Sequence, residues 1–190
     1  RLGVARGDRV ALFMPNCPQF VIAYLGALRA GAIAVPVNPL YSARETEYQL
    51  KDCGAKLVVV LSRFYPLIRQ VQERTSVERV VVANVKQHFP LPLRLLFTLA
   101  KEKKEGHRAQ LDRKAGACWF EELLVPGKPA PVELTEDDTA VLLYSGGTTG
   151  ISKGAELTHR NLVFNAEQNR AWASLQDGQE TTLAVLPLFH

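Results

Sequence analysis

Along the first half of the chain, runs of consecutive apolar residues alternate with segments whose apolar positions recur every three or four residues. Asp8 to Met14 is mostly apolar and breaks at Pro15-Asn16-Cys17-Pro18, which predicts a buried strand followed by entry into a helix. Phe20, Tyr24, Leu25 and Leu28 then repeat at helical spacing to about Ala30, and Gly31 stands where a left-handed C-terminal cap belongs. Ala32 to Val37 predicts a second strand. Ser42-Ala-Arg-Glu45 has capping-box spacing for a helix that runs to Cys53 and stops at Gly54. Lys56–Leu61 and Glu78–Ala83 are rich in valine, as strands covered on both faces are, and a helix is expected between them near Phe64 to Arg74. This order predicts an α/β fold with a mostly parallel sheet flanked by helices.

From Asn84 to Leu134 the periodicity weakens. Phe89-Pro-Leu-Pro-Leu-Arg-Leu-Leu-Phe-Thr-Leu is followed by Lys101-Glu-Lys-Lys-Glu-Gly and later by Pro126-Gly-Lys-Pro-Ala-Pro131, the pattern of an excursion with a short helix and a linker. Thr139 to Tyr144 predicts another buried strand, Thr158 caps a helix from His159 to about Leu175, and Thr182 to Leu186 reads as a strand ending at Pro187. The chain thus divides into an α/β subdomain (1–83), an excursion and linker (84–134) and a closing segment (135–190). Internal repeats and low-complexity tracts are absent.

Composition narrows the function classes. With 190 residues, 47% hydrophobic and 22% charged, the chain is long and apolar enough for a packed core, and its formal net charge of +4 is spread too evenly to require a nucleic-acid partner. Phe20 to Val37 is interrupted by Arg29, Gly31 and Pro36 and is better divided into helix and strand than read as a membrane span. Cys17, Cys53 and Cys118 are odd in number and lie far apart, without a flanking His. They suggest no disulfide framework, zinc site or thiolate nucleophile, and a reducing cytoplasm suits them. The chain begins at Arg1 without a methionine or signal pattern and stops at His190 directly after an apolar run, so both ends read as cut.

Candidate chemistry concentrates in Tyr144-Ser-Gly-Gly-Thr-Thr-Gly-Ile-Ser-Lys-Gly154, immediately after a predicted strand. Glycines let successive backbone N–H groups turn toward an anion, hydroxyls donate further hydrogen bonds, and one lysine supplies charge, a mixture suited to polyphosphate. The competing reading is a hairpin or flexible turn, since Gly/Thr/Ser clusters also mark loops. Ser152 and Gly154 on either side of Lys153 depart from a Walker A loop, and no dinucleotide-binding glycine pattern follows the first strand, where Pro15-Asn16 stands instead.

The loop resembles the signature loop of the adenylate-forming superfamily, with Ser152 where the usual form has proline. Leu157-Thr-His-Arg-Asn-Leu162 and Leu186-Pro-Leu-Phe-His190 resemble blocks that follow it in that family. Upstream, Gly7-Asp-Arg-Val-Ala-Leu, Asn16-Cys-Pro-Gln-Phe, Gly31-Ala-Ile-Ala-Val-Pro-Val-Asn-Pro-Leu-Tyr and Gly54-Ala-Lys-Leu-Val-Val resemble its first subdomain. Asn38-Pro-Leu-Tyr-Ser-Ala-Arg-Glu-Thr-Glu-Tyr-Gln-Leu, the Gly146-Gly147 pair and the Phe89-Pro-Leu-Pro excursion look most like bacterial long-chain fatty acyl-CoA synthetases. The resemblance implies an incomplete N-terminal subdomain of the adenylate-forming fold. It also implies a two-step reaction: a carboxylate attacks the α-phosphate of ATP to give an acyl adenylate and pyrophosphate, and coenzyme A then displaces AMP.

By that resemblance Ser145, Gly146, Gly147, Thr148, Thr149, Gly150 and Lys153 contact the β- and γ-phosphates, with Mg²⁺ on the phosphate oxygens, although a lone lysine is more often solvated. His190 lines the acyl pocket and the approach of the pantetheine arm as a positioning or gating residue, or is simply frayed at the chain end. His159 reads as capping-region decoration and Tyr144 as core. Adenine- and ribose-binding motifs, an acidic magnesium ligand and the C-terminal domain with its lysine are not in these residues, so this piece alone is expected not to turn over. Two other readings stay open: a different adenylating enzyme (an aryl-CoA ligase or peptide-synthetase domain), and an inert nucleotide-binding scaffold. The leucines and basic residues within 89–104 suit either peripheral contact with the inner face of a membrane or a helix covering the sheet with a solvated end. A homodimer of the full enzyme is a further expectation.

Overall fold

A computed structural model describes residues 2–127, 132–145 and 152–189. Seven strands, β1 (Arg9–Phe13), β2 (Ile33–Val37), β3 (Leu57–Leu61), β4 (Arg79–Ala83), β5 (Ala117–Trp119), β6 (Thr139–Ser145) and β7 (Lys153–Thr158), form one sheet in the order β5-β4-β3-β1-β2-β6-β7. All neighbours are parallel except β6 and β7. The helices are α1 (Pro18–Arg29), α2 (Ala43–Cys53), α3 (Tyr65–Gln72), α4 (Leu91–Ala100) and α5 (His159–Ala173).

The valine-rich runs become strands because both faces are covered. Val58, Val60, Val80 and Val82 point to a core shared with Leu50 of α2 and Ile68 and Val71 of α3. Their neighbours Val59, Leu61, Val81 and Ala83 point to the opposite core, which Phe20 and Ala27 of α1 close. With α1 on one face and α2 and α3 on the other, the strand order reverses between β1 and β3, which leaves a crevice outside the carboxyl ends of those strands.

Local signals set the helix ends as expected. Ser42 and Glu45 form the capping box of α2, Gly54 ends that helix at φ +59, and Gly31 follows α1 at φ +75. Thr158 caps α5 through a reciprocal pair with Asn161.

Three expectations are corrected. Thr182–Leu186 is not a strand: its exposed residues meet no neighbouring strand among the described residues, and the Asn16 side-chain amide donates instead to the carbonyls of Ala184 (3.0 Å) and Leu186 (2.7 Å). The 84–134 segment does not stay away from the sheet, because Ala117–Trp119 returns to pair with β4. Finally, α4 does not cover the sheet with its leucines, since Phe97 is its single buried residue.

Candidate functional site

Strand β6 runs parallel to β2, so its carboxyl end reaches the same rim of the sheet as the crevice beside β1 and β3. The glycine-rich loop leaves that rim at Ser145 and returns as the antiparallel strand β7, with Ser145 opposite Lys153 and Tyr144 opposite Gly154. The hairpin reading and the phosphate reading of this segment are therefore compatible: the loop is the tip of a hairpin, and the hairpin holds it at the sheet's carboxyl edge. Of the expected phosphate contacts, Ser145 and Lys153 form the stem, while Gly146, Gly147, Thr148, Thr149 and Gly150 lie outside the described residues, as does His190.

The stem is closed by specific bonds. Ser152 Oγ donates to the Ser145 carbonyl at 2.8 Å, so this serine ties the two ends of the loop together. Tyr48 Oη donates to the Ser152 carbonyl at 3.3 Å, and Tyr144 Oη donates to Asp52 Oδ2. Tyr48 and Asp52 lie four residues apart on α2, so one ridge of that helix grips both arms of the hairpin. Opposite Tyr144 the strand carries Gly154, and a Cβ there would approach the Tyr144 ring carbons to 3.0 Å. Burial raises the Tyr144 pKa well above the ordinary phenol value, reinforced by the bond to Asp52, so the phenol stays protonated and remains a donor.

Asn16, just past β1, brings the downstream segment to the same rim. Besides its two donations to that segment, its Oδ1 accepts from the Leu188 backbone N–H at 2.8 Å. The end of β1, the stem of the β6–β7 loop and the residues preceding His190 are thus held along one side of the sheet.

Lys153 is exposed and carries no ion pair among the described residues, which leaves its ammonium available to an anion. Its register partner Ser145 is exposed as well, adding a hydroxyl donor. Among the described residues no three His, Cys, Asp or Glu side chains gather as a metal site. The cysteines are unpaired: Cys53 is buried, with its thiol pushed up to about 11, while Cys17 and Cys118 are half-buried and raised too, all mainly by desolvation. His159 sits at the first turn of α5, where its backbone N–H donates to the Asp138 carbonyl. Tyr48, Asp52 and Ser152 were not candidates from sequence, because nothing local to α2 indicates which strand end it faces.

The chain is similar to known proteins along its whole length. The family model described as AMP-binding enzyme matches residues 1–190. A long-chain-fatty-acid–CoA ligase of Bacillus subtilis (strain 168) is 37% identical over 99% of this chain and 34% of its own length. One from Haemophilus influenzae is 42% identical over 97% of this chain and 34% of its own. Among solved structures, a long-chain-fatty-acid–CoA ligase from Archaeoglobus fulgidus superposes with a TM-score of 0.72 at 30% identity, covering 99% of this chain and 32% of that one. The chain therefore spans about a third of the length of the relatives it matches. A family match over every residue of a chain with this mostly parallel sheet means that it belongs to the AMP-binding enzymes.

Proposed function

We propose that the protein carrying this chain is an AMP-forming acid–thiol ligase that activates a long-chain fatty acid through an acyl adenylate and transfers it to coenzyme A. The observation that carries this reading is the β6–β7 hairpin, whose stem holds a free lysine and a serine on either side of a Gly-Gly-Thr-Thr-Gly tip. The names of the relatives supply the acid and the thiol acceptor.

In this reading Ser145, Gly146, Gly147, Thr148, Thr149, Gly150 and Lys153 bind the β- and γ-phosphates of ATP and stabilise the charge that grows on pyrophosphate as the carboxylate attacks the α-phosphate. Such charge is best met by donors already in place, and the Ser152, Tyr48 and Tyr144 bonds fix the two ends of the loop beforehand. Magnesium, when bound, would neutralise phosphate oxygens beside this loop. His190 guards the approach of the acyl and pantetheine groups. Residues 1–83 act as the supporting subdomain, 84–127 leave the sheet through α4 and return to it as β5, and 135–190 act as the phosphate-binding segment. The raised thiol pKa values keep these cysteines protonated and away from nucleophilic chemistry.

The deciding measurement is pyrophosphate release by the intact protein from ATP and a long-chain fatty acid. Lys153→Ala is expected to slow it on the order of a hundredfold, the usual cost of removing one preplaced charge donor, without a change in melting temperature. A variant that releases pyrophosphate at the wild-type rate would remove the loop from the mechanism.

A further inference from the structure

Two side chains of α2 bracket Lys153. On its N-terminal side, Tyr48 Oη donates to the carbonyl of Ser152 at 3.3 Å. On its C-terminal side the hold is indirect: Tyr144 Oη donates to Asp52 Oδ2, and the Tyr144 ring lies against Gly154, where a Cβ would stand 3.0 Å from the ring carbons. The absent side chain at Gly154 is what lets the ring approach the strand backbone this closely. Tyr48 and Asp52, at four-residue spacing on one ridge, thus fix the residue on either side of the lysine, one directly and one through a buried phenol.

Such a bracket is only as accurate as the element that carries it, and α2 is held by three kinds of contact. Leu50 has no exposed surface and lies with Cys53 in the core beneath the helix. Gln49, buried beside Tyr48, donates from Nε2 to the Pro36 carbonyl of β2 at 3.1 Å. Glu47 accepts from Arg74, just past α3, at 2.8 Å and from Lys51 at 2.7 Å. Since β2 is the strand beside β6, the helix is set against the strand that the hairpin joins. Tyr48 and Asp52 themselves belong to neither buried core, so their contacts serve the hairpin rather than the block.

We propose that Asp52 and Tyr48 are positioning residues for the ammonium of Lys153, and that α2 sets its place for the adenylation step. The inference rests on the ligase reading of the loop and adds which element places the cation. A charge laid out in advance helps the reaction only where its distance from the growing negative charge is fixed. Loss of the bracket should therefore cost rate through Lys153 and not otherwise.

A double-mutant cycle on the intact protein tests this. With Lys153 present, Tyr48→Phe/Asp52→Ala should lower kcat/KM for ATP in pyrophosphate release about tenfold, the loss expected when two hydrogen bonds are withdrawn from positioning. In a Lys153→Ala background the same pair should lower it less than about twofold, whereas a pair that only maintained the fold would cost the same factor in both. Asp52→Asn keeps a side-chain oxygen to accept from Tyr144 and should recover most of the loss seen with Asp52→Ala, and all variants should melt close to the wild type. The same cycle on the dissociation constant of ATP, by titration calorimetry, separates this proposal from the ligase reading. ATP that binds without pyrophosphate release would sink the ligase reading alone, and coupling in affinity would then decide the bracket; a wild type that binds no ATP would overturn both. The proposal also fails if the pair behaves as wild type with Lys153 present, if it costs equal factors in the two backgrounds, or if Asp52→Asn is no better than Asp52→Ala.

Discussion

The block from β1 to β4 and the hairpin of β6 and β7 belong to one sheet but are held by different forces. In the block, β1 pairs with β2 over five positions, β1 with β3 over four and β3 with β4 over five, and Ala11, Leu12, Phe13, Val58 and Val80 are fully buried between two helical layers. The hairpin meets the block at one registered pair, Ala34 with Val141, and neither β7 nor α5 contains a buried residue. Its apolar hold comes from β6, whose Ala140, Val141 and Tyr144 are buried, and long-range polar contacts add to it: Tyr144 to Asp52, Tyr48 to Ser152, and Arg6 to Asp138 at 2.6 Å. Most of the folding free energy therefore resides in the block and β6, and the outer arm of the hairpin is held by a few bonds that can be altered without unfolding the block.

The sharpest way to break that contrast is to delete equal side chains from the two regions. Phe13 has no exposed surface and packs edge-on against Phe64, so Phe13→Ala should cost about 3–5 kcal/mol, read from the denaturant midpoint at constant slope. Phe164, 60% exposed on α5, should cost less than about 0.5 kcal/mol when changed to Ala. Comparable losses at the two sites would show that α5 is integral to the core.

The edge of the block has its own weak point. Gly116 enters β5 at φ +80, and a Cβ there would stand 2.5 Å from the Glu78 carbonyl oxygen, a backbone atom in the turn before β4. Gly116→Ala combines a left-handed backbone penalty with a contact that only chain movement can relieve, so a loss of at least about 2 kcal/mol is expected. A thermal melt superimposable on the wild type would contradict the close approach.

In the hairpin the expected effects are smaller and functional. Tyr144→Phe removes the donor to Asp52, whose exposed carboxylate regains water, so stability should fall by only about 1 kcal/mol. The same free energy withdrawn from loop positioning corresponds to roughly a fivefold loss in pyrophosphate-release kcat, with little change in KM for the acid. Gly154→Ala reaches the same contact by pressing on the tyrosine ring, so the double variant should lose less than the sum of the two singles. Strict additivity would mean that the two arms do not act through one contact.

Which parts of this were legible in sequence follows the range of the interactions. The capping box at Ser42, the stops at Gly31 and Gly54 and the double-faced valine runs are decided within a few residues, and all form as the pattern predicts. Strand β7 gave no signal because Lys-Gly-Ala-Glu carries little strand preference and is extended only by pairing with β6. Three residues, Ala117–Trp119, are too few to show a period. Leu183, Val185 and Leu186 look like strand residues but have no partner edge among the described residues. The place of the loop was marked by its glycines, hydroxyls and lysine. Its support was not, because Asp52 lies 92 residues from Tyr144 and Tyr48 lies 104 from Ser152. The orientation of α4 was equally hidden, since a leucine-rich helix does not say which side is outward until Phe89 and His107 take hold of Phe97.

That last attachment provides the smallest predicted effect, a dependence on pH. His107 is buried, its Nδ1 lies 3.1 Å from Ser62 Oγ, and its ring supports Phe97 beneath α4. Burial lowers its pKa below the ordinary value of 6.5; Glu105 and Glu102 oppose the shift, and Arg63 adds to it. The folded protein thus resists a proton that the unfolded chain accepts. As pH falls below about 6.5 the unfolded state binds more protons, and the stability held by neutral His107 declines until the folded pKa is passed. His107→Asn keeps a polar side chain near Ser62 and does not titrate, so the stability difference between wild type and variant should narrow from pH 7.5 to pH 5.5, at about a unit either side of that ordinary value. Taking the difference removes the contribution of carboxylates titrating elsewhere. A difference that stays constant across this range would place the proton equilibrium of His107 outside the stability of the fold, and a difference that widens toward acid would reverse the sign argued here.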